Sequence, residues 1–145
     1  LGVNPKLLAP AINAIIGQRL VRRLCEECKQ AEAPSPEHRS KAATWIDNMP
    51  DNGGEEKPDI ANATFYKAVG CEACGHSGYK GRIGIYEIFT LTPELSQRIS
   101  QGDISEVEMK ALLRQAGMVT MGQDGIIKAT EGITTLDEVF RVAKG

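Results

Sequence analysis

The stretch GCEACGHSGYKGRIGIYEIF, residues 70–89, places a C-x-x-C pair directly before the most apolar strand pattern of the chain. A second pair stands in LCEECK, residues 24–29, and the two pairs account for all four cysteines. A thioredoxin-like redox site would need one such pair, and a disulfide within C-x-x-C would close a very small loop. Zn²⁺ takes four thiolates tetrahedrally, so the sequence predicts one closed structural zinc site. Its predicted ligands are Cys25, Cys28, Cys71 and Cys74.

Four thiolates saturate a zinc ion and leave no open position for water, so the predicted site does no chemistry. His76 is therefore expected to be an outer-shell or plain loop residue. Free thiols and disulfides remain the alternatives to zinc. Positive neighbours favour the deprotonated thiolates that a metal needs, although the same residues also fit a solvated basic loop. These neighbours are Arg22, Arg23, Lys29, Lys80 and Arg82.

Composition limits the remaining classes of protein. A chain of 145 residues with 41% hydrophobic and 25% charged residues fits one or two small domains. A net charge of −2 gives no basic footprint for nucleic acid. We find no secretion signal and no apolar run of about 20 residues, which a membrane span would need. Together with reduced cysteines this predicts a cytosolic protein. Because the sequence starts in mid-pattern at Leu1, we expect it to be part of a longer chain.

The first half of the chain predicts short elements around the first cysteine pair. Asn4 followed by Pro5 and a helical apolar spacing predict a helix over residues 5–16, and QRLVRRL predicts a strand over 18–24. Three further elements are predicted between the pairs: a helix that starts at SPE (35–37), a loop over 50–59 and a strand over 63–69. Trp45 is expected to pack the helix down. Few other apolar anchors stand out in this insert, so zinc is expected to hold it together.

The second half predicts one buried strand followed by helices. RIGIYEIF, residues 82–89, has the apolar content of a buried strand. Helix starts are indicated at Thr92 and, as S/T-x-x-E capping boxes, at Ser105 with Glu108 and Thr135 with Glu138. Residues 92–145 are therefore expected to form a compact helical bundle. Its segments are punctuated by Gly102, Gly117, Gly122, Gly125 and Gly132.

Three motifs in order resemble the C-terminal part of the secretion-type ATPases that drive type II secretion and type IV pilus assembly. They are QRLVRRLCEECK, CEACGHSGYKGRIGIYEIF and the closing GITTLDEVFRVAKG. The resemblance implies an α/β fold: a C-terminal fragment of a RecA-like ATPase domain with an inserted tetracysteine zinc subdomain and a helical C-terminal subdomain. The implied boundaries are residues 1–24 and 81–91 for the core, 25–80 for the zinc subdomain and 92–145 for the helices.

The resemblance also implies partners and a place in the cell. Members of this family work as homohexamers at the cytoplasmic face of the bacterial inner membrane, beside inner-membrane platform and other cytoplasmic-face proteins. This sequence contains no G-x-x-x-x-G-K-[ST], so ATP and Mg²⁺ are expected only in a full-length parent, and no hydrolysis in the stretch itself. Four arginines are candidates to approach nucleotide or a neighbouring subunit, with exposure to solvent as the alternative for each: Arg19, Arg22, Arg23 and Arg82.

Three alternatives remain. CEACGHSG is similar to one repeat of the J-type chaperone zinc module, which uses more repeats and lacks the apolar strand. A zinc ribbon of a transcription or translation factor predicts a basic surface, which the composition does not provide. A free-standing zinc-stabilised protein-interaction module fits the same residues, and it would differ by being a complete gene product. Because type II secretion and type IV pilus ATPases share the motifs named above, these motifs do not distinguish between the two systems.

Overall fold

A two-stranded antiparallel ribbon sets the geometry of the molecule, whose computed structural model describes residues 11–101 and 104–143. Strand β1, Ala14–Leu24, pairs along its length with strand β4, Tyr79–Thr90. Leu24 pairs with Tyr79 across a register shift that follows Arg22. Because Cys25 comes directly after β1, and Cys74 lies shortly before β4, this pairing brings the two cysteine pairs to one end of the ribbon.

The strands predicted over 18–24 and 82–89 are confirmed as parts of this ribbon. The helix predicted over 5–16 is wrong where it overlaps β1, since Ala14, Ile15 and Ile16 pair with Thr90, Phe89 and Ile88. Its residues 5–10 lie outside the described part of the chain. A short apolar run with β-branched residues fits a strand as well as a helix, and here the long-range partner strand decides.

The insert between the cysteine pairs holds one helix and a minimal sheet. Helix α1, Pro36–Asp47, begins where it was predicted, and the Ser35 Oγ accepts a hydrogen bond from the His38 N–H at 3.2 Å. Strand β2, Gln30–Ala31, pairs with β3, Tyr66–Lys67. The strand predicted over 63–69 is thus reduced to two residues, because its partner offers only two. The loop predicted over 50–59 is confirmed.

In the described part of the chain after the ribbon there are four helices. The predicted starts at Thr92, Ser105 and Thr135 are confirmed, and each precedes one helix: α2, Pro93–Gln101; α3, Glu106–Gln115; and α5, Leu136–Val142. Helix α4, Met121–Thr130, is not predicted from the sequence. Gly122 and Gly125, interpreted as breaks, both lie inside this helix. Thr120 and Gln123 form its capping box.

One hydrophobic core joins the ribbon, the insert and the C-terminal helices, in agreement with a mixed α/β fold. Val21 and Ile85 come from the ribbon, and the insert adds five buried residues: Ala42, Ile46, Met49, Ile60 and Phe65. Helices α4 and α5 complete the cluster with Ile126, Ala129, Leu136 and Val139. The expectation that the insert has few apolar anchors is therefore wrong. Within the described residues, no helix is both long and apolar enough to cross a bilayer.

Candidate metal centre

The four cysteine sulfurs form one cluster at the end of the ribbon. The Sγ–Sγ distances are 3.9 Å for Cys25–Cys71, 3.9 Å for Cys28–Cys74 and 3.7 Å for Cys71–Cys74. All four sulfurs lie within 4.8 Å of one another, and the cysteines are free. A disulfide would need about 2.05 Å, whereas four sulfurs about 2.3 Å from a central Zn²⁺ stand roughly 3.8 Å apart. The donor set and its spacing therefore fit a tetrathiolate metal site.

Each pair sits in its own tight turn. In the first turn, the Lys29 N–H donates to the Cys25 carbonyl at 2.9 Å. In the second, the His76 N–H donates to the Cys71 carbonyl at 2.8 Å, while Gly75 adopts φ +60°. The His76 side chain is exposed and outside the sulfur cluster, so His76 is a loop residue.

Backbone N–H groups point at the sulfurs. Gly70 donates to the Cys28 Sγ at 3.3 Å, while Cys71 and Gly78 each donate to the Cys74 Sγ at 3.2 Å. The bonds from Cys71 and then Gly78 lower the pKa of Cys74 to about 6. Burial raises the pKa of Cys28 to about 11. A metal must therefore displace protons from this cluster when it binds.

Some of the basic residues that were predicted to surround the cluster are bound to other protein groups. Glu26, between the first two cysteines, pairs with Lys29 at 2.6 Å and with Arg23 at 3.8 Å. Lys29 also donates to the Gly132 carbonyl at 2.9 Å. Lys80 and Arg82 are exposed. The basic residues beside the first pair are thus bound to protein groups rather than free.

The four candidate arginines have different surroundings. Arg22 and Arg82 lie directly opposite each other on the ribbon, Arg23 pairs with Glu26, and Arg19 is exposed. Only Arg22 of these four enters a buried network. Its guanidinium lies 4.0 Å from the Tyr79 ring centroid and donates to Glu138 at 2.8 Å. Among these four residues, the geometry therefore assigns a defined structural role to Arg22.

Glu138 lies in the first turn of α5 as predicted, but its carboxylate has partners that the sequence does not predict. Its side chain is 2% exposed and accepts bonds from the Arg22 N–H at 2.9 Å and from Arg141 Nη2 at 2.8 Å. Although burial opposes the shift, bonds from Arg141 and Arg22 lower the pKa of Glu138 to about 2. Thr135 caps helix α5 as predicted, but the carboxylate of Glu138 goes to the arginines instead of completing a capping box. The box at Ser105 and Glu108 is confirmed.

Comparison with known proteins identifies the family. The family model described as "Type II/IV secretion system protein" matches residues 1–141. The chain belongs to this family. It is 40% identical over 140 residues, 97% of its length, to the type IV pilus assembly ATPase PilB of Thermus thermophilus. It is 33% identical over 144 residues, 99% of its length, to the type II secretion system ATPase E of Vibrio cholerae.

The family relationship covers the tetracysteine site and the three motifs around it. A further relative, the type IV pilus assembly ATPase PilB of Pseudomonas aeruginosa, is 38% identical over 144 residues, 99% of the chain. The chain spans only 14%, 23% and 26% of the Thermus, Pseudomonas and Vibrio relatives, respectively. The resemblance stated from the residues alone is thereby confirmed at the level of the family.

Proposed function

We propose that this chain is the zinc-binding and helical C-terminal region of a hexameric ATPase that powers type II protein secretion or type IV pilus assembly. The observation that carries the proposal is the cluster of four cysteine sulfurs, all within 4.8 Å of one another, in a chain of this family. In the full-length parent, ATP and Mg²⁺ bind to other parts of the protein. The hexamer acts at the cytoplasmic face of the inner membrane, beside a membrane platform.

Zinc would be held by Cys25, Cys28, Cys71 and Cys74 and would supply a cross-link, not a reaction centre. Residues 29–70 lie between the two pairs, so the metal closes a long loop whose ends the ribbon already brings together. A closed tetrathiolate site of this kind contributes directly to folding free energy. The backbone N–H groups that point at Cys28 and Cys74 support binding as thiolates.

The ribbon supports the proposal that residues 1–24 and 81–91 belong to a larger RecA-like core. Ile16 and Ile88 pair with each other and are 62% and 51% exposed, and Leu20 on the same face is 50% exposed. The opposite face carries Val21 and Ile85, which are fully buried against the helices. A strand ribbon with one buried face and one apolar exposed face is suited to lie between two layers of a larger domain.

The insert has two candidate roles in the parent machine. A rigid, metal-fixed projection can pass an ATP-driven domain movement to a partner without losing it in a flexible tip, or it can stabilise the contact between hexamer subunits. The other role is purely structural: the metal holds residues 25–80 in place. We propose the transmitting role for the parent.

Substitution in the full-length parent tests this function. Cys25→Ser with Cys71→Ser should abolish secretion or piliation while the hexamer and basal ATP hydrolysis persist. Ala73→Ser, at an exposed position within the second turn, is the matched control and should leave transport unchanged. If hydrolysis and hexamer assembly fail together with transport, the metal is only structural and the transmitting role is wrong.

A further inference from the structure

The segment Gly132–Glu138, with sequence GITTLDE, contacts the residues on either side of the first cysteine turn and Tyr79, which follows the second, although it is far from both in sequence. The sequence alone identifies it only as a family motif and a helix start. In the structure it runs from the end of α4 into the first turn of α5 and follows the edge of β1 that faces away from β4. We call it the 132–138 segment.

Its first residues hold the first cysteine turn from both sides. The Leu24 N–H, directly before Cys25, donates to the Ile133 carbonyl at 2.8 Å. Lys29, directly after Cys28, donates from Nζ to the Gly132 carbonyl at 2.9 Å. The Lys29 side chain is only 19% exposed, so this bond is largely shielded from water. The turn that carries the first two ligands is therefore fixed at its entry and at its exit.

Its later residues hold the second half through Tyr79. The Tyr79 hydroxyl and the Thr135 Oγ1 are 3.3 Å apart, and the Arg22 guanidinium that covers the Tyr79 ring is held by Glu138. Tyr79 follows Gly78, whose N–H donates to the Cys74 Sγ and whose carbonyl accepts from the Cys25 N–H at 3.0 Å. The segment thus reaches the second cysteine pair through two intervening residues, Tyr79 and Gly78.

The same segment also fixes β1 at the position where its register shifts. Glu138 accepts from the Arg22 N–H at 2.9 Å, and the Thr134 Oγ1 donates to the Arg22 carbonyl at 2.8 Å. The two side chains therefore satisfy both backbone groups of one residue, three positions before Cys25. Glu138 and Thr134 are 1% and 0% exposed, so their geometry is set by packing as well as by hydrogen bonds.

We propose that the 132–138 segment positions the two cysteine pairs for metal binding, with Glu138 and Lys29 as the positioning residues. The inference rests on the proposed metal site and adds the residues that preorganise it. Groups that orient metal ligands from outside the coordination sphere typically change affinity by about 10- to 100-fold when removed. The sulfur spacing already matches a bound metal, which is the property that such a support provides.

Metal affinity of the folded chain tests the inference. Wild type, Glu138→Gln and Lys29→Met are titrated with Co²⁺, whose visible bands report a tetrahedral thiolate site, and then with Zn²⁺ in competition. Both variants should raise the dissociation constant and shift the Co²⁺ bands; for Glu138→Gln, which acts on the ligands only through Arg22, we expect the lower end of the outer-shell range, about 10-fold. Glu131→Gln removes an exposed carboxylate next to the segment and should change neither quantity.

The outcomes separate this inference from the proposed function. Wild type that binds no metal overturns the metal site itself. Wild type that binds, with both variants folded by far-UV circular dichroism and equal in affinity and spectrum, overturns the positioning role. If Glu138→Gln does not fold, Lys29→Met and Gly132→Ala decide. Gly132 has φ +72°, and a Cβ there would lie 2.9 Å from the Tyr66 Cε2 and 3.2 Å from the Lys29 Nζ, so alanine would disturb the contact of Lys29 with the segment. Unchanged affinity in both folded variants overturns the proposal.

Discussion

The carboxylate of Glu138 connects helix α5 to strand β1 and to Arg141 within its own helix. The spacing from Thr135 predicted a capping box, in which Glu138 would bond the cap N–H. In the structure the carboxylate instead accepts hydrogen bonds from two guanidinium groups, because a buried charge needs charged partners and not one amide alone. Sequence spacing finds the helix start but not this competition, since Arg22 is more than a hundred residues away in the chain.

Stability should depend on the ionisation of Glu138. Its pKa is lowered from 4.5 to about 2 by Arg141 and Arg22 against the effect of burial, so ionised Glu138 favours the folded state by about 3 kcal/mol. This contribution is complete above about pH 4.5, the unfolded value, and is lost as the pH falls towards 2. Glu138→Gln has no such titration.

Urea unfolding of wild type and Glu138→Gln, both with chelator to remove metal effects, measures this contribution. The difference in unfolding free energy should be largest at pH 6 and should shrink steadily below pH 4.5. The charges that face Glu138 are Arg22 from β1 and Arg141 from α5, and both stay protonated throughout. A difference that is constant between pH 6 and pH 3 would contradict the assigned ion pairs.

At the scale of elements, glycine was a poor indicator of where helices end. Gly122 and Gly125 were interpreted as breaks, but they let α4 approach its neighbours closely. A Cβ on Gly122 would lie 2.5 Å from Trp45 Cζ3, and one on Gly125 would lie 2.7 Å from Val139 Cγ1. The T-x-x-Q spacing of Thr120 and Gln123, which form the capping box of this helix, is the local signal that could have located it. Elements with local signals, such as α1 and α3, were found correctly from the sequence.

Replacing Gly122 with alanine separates helix propensity from packing. Propensity alone favours alanine inside a helix by about 1 kcal/mol. The contact with Trp45 should reverse the sign, because overpacking a close contact costs about 1–3 kcal/mol. Thermal unfolding should therefore show Gly122→Ala to be less stable than wild type. Val107→Ala, at a 77% exposed helix position, should stay within about 0.5 kcal/mol of wild type. A stabilised Gly122→Ala would refute close packing between α4 and the insert.

At the scale of the whole molecule, the sequence predicted that the four cysteines come together, and it predicted the two long strands and most helices. It did not predict that the insert and the C-terminal helices share one core. Trp45 in the insert and Phe140 in α5 pack edge to face with centroids 5.1 Å apart. Such contacts join residues nearly a hundred positions apart, and periodicity describes each element but not its partner. The predicted boundaries at residues 25–80 and 92–145 stay a prediction for the parent.

In the proposed function, two C-x-x-C turns that are far apart in the sequence form one zinc tetrathiolate site. X-ray absorption at the zinc edge, on protein purified under reducing conditions without chelator, tests it most directly. We expect one zinc per chain, with four sulfur neighbours at about 2.3 Å and no nitrogen or oxygen in the first shell. Zinc-free protein, or a zinc site with fewer than four sulfurs, would contradict the proposed tetrathiolate site.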